Sequence, residues 1–216
     1  MKSKQQYQPL FTSIPIIEIL KRSESLTWTG CPADLLYILS SVNSACSGPV
    51  PPDPNVIAHL FSQVETFSPQ KWAFATSNVS HLTVRYHVAC IYKAAALIYM
   101  SQAFSHKSQQ HYLAKWHILG SLDSIIAHFT SVGPGNIHFK GLLWPAFIIG
   151  AEARTEHQRS AIMEVLDHLW RLWRAQNVVY ALEILKKIWE GQTTPEGASQ
   201  PWIAYLYEQG ENWIFV

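Results

Sequence analysis

The sequence predicts an all-α fold: a single multi-helix array of eight or nine helices with a buried central helix. Three observations predict it. Apolar residues recur at intervals of three and four nearly everywhere, alternation at two is almost absent, and proline, glycine and capping residues punctuate the chain between the periodic segments. At 216 residues the chain can bury a core without disulfides or metals. No repeat of fixed period is found.

Taken in order, residues 13–22 open with Ser13 as a cap and Pro15 in the first turn. Residues 31–46 place Pro32 at the helix start and Leu35, Ile38, Leu39 and Val42 on one face. The connector 47–52, Ser-Gly-Pro-Val-Pro-Pro, cannot continue a helix. An Asp-Pro opening then starts 53–67, with a stripe of Ile57, Leu60, Phe61 and Val64. The segment 81–104 is apolar around most of its circumference, which places it at the centre. A second long helix is expected over 108–129, with Gly120 as its weak point, before the break at 131–136. Trp144 precedes a proline and so is expected to cap a short buried helix running from Pro145 to about Ala153, roughly 13 Å long. Thr155 and Gln158 form a capping-box pattern ahead of Ile162, Leu166, Leu169 and Trp173. Asn177 is read as the cap of a helix ending at Gly191. A loop, a short helix and an apolar tail close the chain. Residues 1–28 read as an N-terminal segment with a short helix, and 29–216 as the main helical region.

Composition narrows the function. The net charge is +1 and 14% of residues are charged, with basic residues scattered in pairs. A surface that holds DNA needs a basic excess or stripe, so direct DNA binding by this chain alone is not expected. Nine tryptophans and 48% hydrophobic content call for a large core or for apolar surface kept for a partner or ligand. Cys31, Cys46 and Cys90 are widely spaced and form no C-x-x-C pair, so neither a disulfide framework nor a cysteine zinc site is indicated. The first residues lack the apolar stretch of a signal peptide. No uninterrupted apolar run reaches the length of a membrane span. An intracellular protein, nuclear or cytoplasmic, is expected.

No metal or cofactor is expected. There is no H-E-x-x-H, no paired E-x-x-H, no nucleophile elbow, no phosphate-binding loop and no dinucleotide fingerprint. Glu164 and His168 are four apart on one helix face and read as a surface pair or a capping interaction, since two ligands do not make a metal site. Tyr86, His87 and Tyr99 can present polar tips to a pocket as acid, base or hydrogen-bond donors, or can be core aromatics whose polar ends find partners. Trp144 reads as core or as pocket wall. Glu152 ends an apolar helix, where a carboxylate is costly unless paired, and Arg159 across the tight corner is the expected partner. In the alternative reading Glu152 and His87 are catalytic groups, and Glu152 and Arg159 anchor a polar ligand.

Several stretches together resemble a known family. The run 142–153 (LLWPAFIIGAEA), the Arg-containing helix 157–173, and NVVYALEILKKIW at 177–189 are similar to the end of the fungal-specific transcription factor (regulatory) domain, second type, found behind zinc binuclear cluster modules. Upstream, TGCPADLLYILSSVNSAC resembles that family's G-x-P-x-x-L-L helix. FSPQKWAFATSN and YHVACIYKAAALIYMSQAF resemble its tryptophan segment and its long alanine- and tyrosine-rich helix. The likeness runs from about Thr29 and matches the C-terminal half of the family's domain; the six-cysteine zinc cluster is missing. It implies a non-enzymatic regulatory module of fungal metabolic or secondary-metabolite gene control, acting through a protein partner, a homodimer included, or through an apolar small molecule. The rival expectations are a cofactor-independent isomerase or cyclase on the same scaffold, and a bare dimerisation or interaction module.

Overall fold

A computed structural model describes residues 15–24, 30–75, 81–108, 112, 120–193 and 201–208. The fold is all-α, with ten α-helices and one 3-10 helix among the described residues and no strand there.

Helix α1 (Ile16–Glu24) buries none of its residues and is tied down by its last one. The Glu24 carboxylate accepts from the backbone N–H of Ala33 at 2.7 Å and from the Trp72 indole at 2.8 Å. That first bond matters because α2 (Ala33–Ser47) begins after Pro32, whose side chain cannot cap it. A carboxylate from the preceding helix supplies the missing acceptor, favourably placed at the positive end of the helix dipole. Arg85 lies over the Trp72 ring at 3.9 Å and approaches Glu24 at 3.8 Å, completing the anchor.

Helix α3 (Pro54–Thr66) starts as expected, with Asp53 accepting from the N–H of Asn55 and proline in the first turn. A short helix, α4 (Pro69–Phe74), follows with Ser68 as its cap; the sequence reading contained no helix there. Helix α5 (Leu82–Ser108) is the central helix, 27 residues long and buried almost continuously from Val88 to Ser105. It packs against α2, α3, α4, α6 and α7 and against the last helix. Its length and composition match a bilayer span, but 83% of its most apolar window is covered by protein. It therefore has the surroundings of a core helix. Lys93 of α5 reaches the C-terminus of α3 and donates to the carbonyls of Glu65 and Phe67, both at 2.8 Å.

The continuous helix expected over 108–129 is not observed. Residues 109–111 and 113–119 lie outside the described residues. Gly120 has φ +102°, a conformation that excludes a helix there, and Ser121 caps a new one, α6 (Leu122–Val132). Asn136 then caps the 3-10 helix Ile137–Leu142, which runs directly into α7 (Leu143–Ala151). Trp144 is thus inside the first turn of α7 and not its cap. Pro145 is tolerated because the first-turn N–H groups have no intrahelical acceptor to lose. Helix α8 (Glu156–Trp173) carries both bonds of the expected capping box. Helix α9 (Gln176–Gly191) begins after Ala175, so Asn177 is a first-turn residue and not the cap. Helix α10 (Trp202–Glu208) packs on α5, and the expected apolar tail at 209–216 lies outside the described residues.

Candidate functional site

The candidate residues fall in three places. The first is the N-terminal part of α5, where Tyr86 is exposed and His87 is half-buried. His87 Nδ1 lies 2.7 Å from His128 Nδ1 of α6, a hydrogen bond in which one imidazole donates and the other accepts. The Tyr86 ring stands edge-on to both, with centroids 5.4 Å and 6.2 Å away. Burial holds the His87 and His128 pKa values below the ordinary imidazole range, and their mutual proximity lowers that of His128 further.

One face further along α5 builds the second place. Tyr92 and Tyr99, two turns apart, both turn their rings to Trp144 of α7, at 6.3 Å and 6.0 Å between centroids. Tyr92 donates to the carbonyl of Gly141 and Tyr99 to Asn43 Oδ1, each at 2.6 Å. Burial raises both phenol pKa values, so these hydroxyls are neutral donors. Trp144 is half-buried and packed against the core. The three rings are joined as a seam between α2, α5 and α7.

The third place is the end of α7, where Gly150 allows a close crossing. A Cβ there would stand 2.8 Å from Ile162 Cγ2. The Trp189 indole instead donates to the Gly150 carbonyl at 2.8 Å. Glu152, at the C-cap, is 7% exposed and turns inward. Its Oε1 accepts from Gln102 Nε2 of α5 at 2.5 Å and from Trp202 Nε1 of α10 at 2.9 Å. The expected Glu152–Arg159 ion pair is absent among the described contacts. Arg159 donates to the Ala153 carbonyl at 3.4 Å and to Gln192 Oε1 at 3.2 Å, and its guanidinium lies 5.5 Å from the Trp189 ring. The physical reason is directional. The carboxyl group faces the core, where two neutral N–H donors satisfy it. The guanidinium faces the negative end of the α7 dipole, where it meets the Ala153 carbonyl just past the helix. Outside this node lies a cleft of about 140 Å³ between α9 and α10, lined by Arg154, Ile188, Gln192, Trp202, Tyr205 and Glu208.

These places are separate. His87 and Glu152, the candidate catalytic pair, share no contact and are engaged by different helices. Among the described residues no group of three or more His, Cys, Asp or Glu side chains could hold a metal ion. The partners that complete each place, His128, Asn43, Gln102 and Trp202, have no local signal, because they lie 41 to 56 residues from what they touch.

Compared with known proteins, residues 2–216 match the profile of a family described as "Fungal specific transcription factor domain". A curated relative, the "Acriflavine sensitivity control protein acr-2" of Neurospora crassa, is 25% identical over 189 residues. The alignment covers 79% of this chain and 31% of the relative, so the chain spans about a third of that protein's length. No solved structure matches the chain.

Proposed function

Because the chain belongs to the fungal-specific transcription factor domain family, we propose that it is a transcription-regulating helical module that works through contacts with other proteins in the nucleus. The observation that carries this is the family match over residues 2–216. The choice of protein contacts over a small effector is supported by size. Two clefts among the described residues, at the α8–α9–α10 end, hold about 140 and 220 Å³. A ligand pocket typically holds about 300–1,000 Å³. It is also supported by the fate of three polar candidates, since Tyr99, Glu152 and Arg159 are each bonded within the scaffold. The net charge of +1 supports a reading in which residues 1–216 are not themselves the DNA-binding surface.

The test is tethering. Residues 1–216 fused to a heterologous DNA-binding module should raise or lower transcription of a reporter carrying the cognate site in a fungal host. A well-expressed fusion that leaves the reporter at the level of the module alone overturns the reading. The relative named for control of acriflavine sensitivity makes growth on that compound the first phenotype to score after deletion of the gene.

A further inference from the structure

The two imidazoles that join α5 to α6 by a hydrogen bond can also act together as ligands. His87 and His128 sit on different helices, 41 residues apart, and present the same ring atom, Nδ1, to one another at 2.7 Å. Both rings are half-buried, so water reaches the pair from one side while the helices fix it from the other. From this geometry we infer that His87 and His128 form a two-imidazole clip for a late divalent transition-metal ion, Cu²⁺ first, bound through the two Nδ1 atoms.

Distances select the ion. Metal–imidazole bonds are about 2.0 Å long, so two nitrogens in adjacent positions of a square-planar or tetragonal centre stand about 2.8 Å apart. A tetrahedral centre needs about 3.3 Å between its nitrogens. The observed 2.7 Å matches the N–N spacing of the tetragonal case; because the hydrogen bond aims each Nδ1 at the other, each ring swings by about 45° for its lone pair to meet an ion at about 2.0 Å. The pair would have to open by several tenths of an ångström for zinc. Imidazole is a good ligand for Cu²⁺, which also leads the divalent series in affinity. The low imidazole pKa values keep both rings neutral near pH 7, the state that offers lone pairs. Loading the clip requires the donor ring to change tautomer: its proton passes, through solvent, from Nδ1 to its own Nε2, so that both imidazoles bind neutral and no net proton is released. Two protein ligands leave the remaining coordination positions to water, on the open side beside Tyr86. The sequence does not signal the pair because its two histidines lie 41 residues apart on different helices.

The experiment uses the full chain. Cu²⁺ as its sulfate is titrated in a weakly coordinating buffer near pH 7.5, and imidazole resonances are followed by NMR. His87 and His128 are expected to broaden first and together, at the first equivalent. The bound copper should give an electron paramagnetic resonance spectrum with two coupled nitrogens. His87→Gln and His128→Gln each should lose that species. Broadening that begins at other histidines, or a two-nitrogen spectrum that survives both substitutions, overturns the clip. If either variant fails to fold, the order of broadening in the unsubstituted chain decides alone.

Discussion

At the scale of single residues, Glu152 behaves as an acceptor and not as half of an ion pair. Both of its donors, Gln102 and Trp202, bond the same oxygen, and Gln102 Oε1 is a buried acceptor without a partner. Glu152→Gln keeps an acceptor for both donors and adds an N–H that can serve Gln102. It is expected to change stability by less than about 1 kcal/mol, whereas Glu152→Ala strands two buried donors and should cost about 2–4 kcal/mol. Urea unfolding measures both. A Glu152→Gln loss as large as that of Glu152→Ala would restore an ionic role. His87 and His128 give a pH signature. Their pKa values are lowered in the fold from 6.5, so the unfolded chain binds more protons on acidification. Their contribution to stability is complete above about pH 6.5 and is lost as pH falls toward the folded-state values. Denaturation midpoints taken from pH 8 to pH 5 should fall with acidification, and the fall should be shallower in His128→Gln. Little of the site was legible beforehand. Tyr86, His87, Tyr99 and Trp144 could be named from type and position, but their partners come from helices distant in sequence. The Glu152–Arg159 pairing failed because proximity across a corner does not fix which way each side chain turns.

Among the elements, those with chemical start signals matched the expectation: Asp53 before Pro54, and Thr155 with Gln158. Where a cap has no second signal, as at Trp144 and Asn177, the helix begins two residues earlier than expected. The buried stripes were legible because packing enforces them; Leu35, Ile57, Ile162 and Leu166 are all buried. The over-long helix at 108–129 came from an apolar pattern that continues across Gly120, where backbone conformation overrides periodicity. The crossing of α7 with α8 and α9 makes one sharp demand. Gly150→Ala would place its methyl 2.8 Å from Ile162 Cγ2 and 3.1 Å from Leu185 Cδ1. The overpacking should cost about 1–3 kcal/mol, read as a lowered thermal midpoint. If Gly150→Ala melts with the parent, the helices have more slack than the contact distances indicate.

For the whole molecule, the arrangement is radial: α5 is the axle, and α2, α3, α4, α6, α7 and α10 lie against it. Such a helix cannot be exposed by peeling off any one neighbour. Its backbone amides therefore reach solvent only when the surrounding layer comes apart as a unit. In hydrogen–deuterium exchange the amides from Val88 to Ser105 should be the slowest in the chain, and should share one opening free energy equal to that of global unfolding. The amides of α1, which buries no residue, should exchange far faster and independently of them. A mid-α5 amide that exchanges as quickly as α1 would show that the axle can be reached piecemeal. Hence a partner or substitution that loosens any one spoke should be felt at every other, as a uniform drop in protection along α5, however far apart on the surface the two spokes lie.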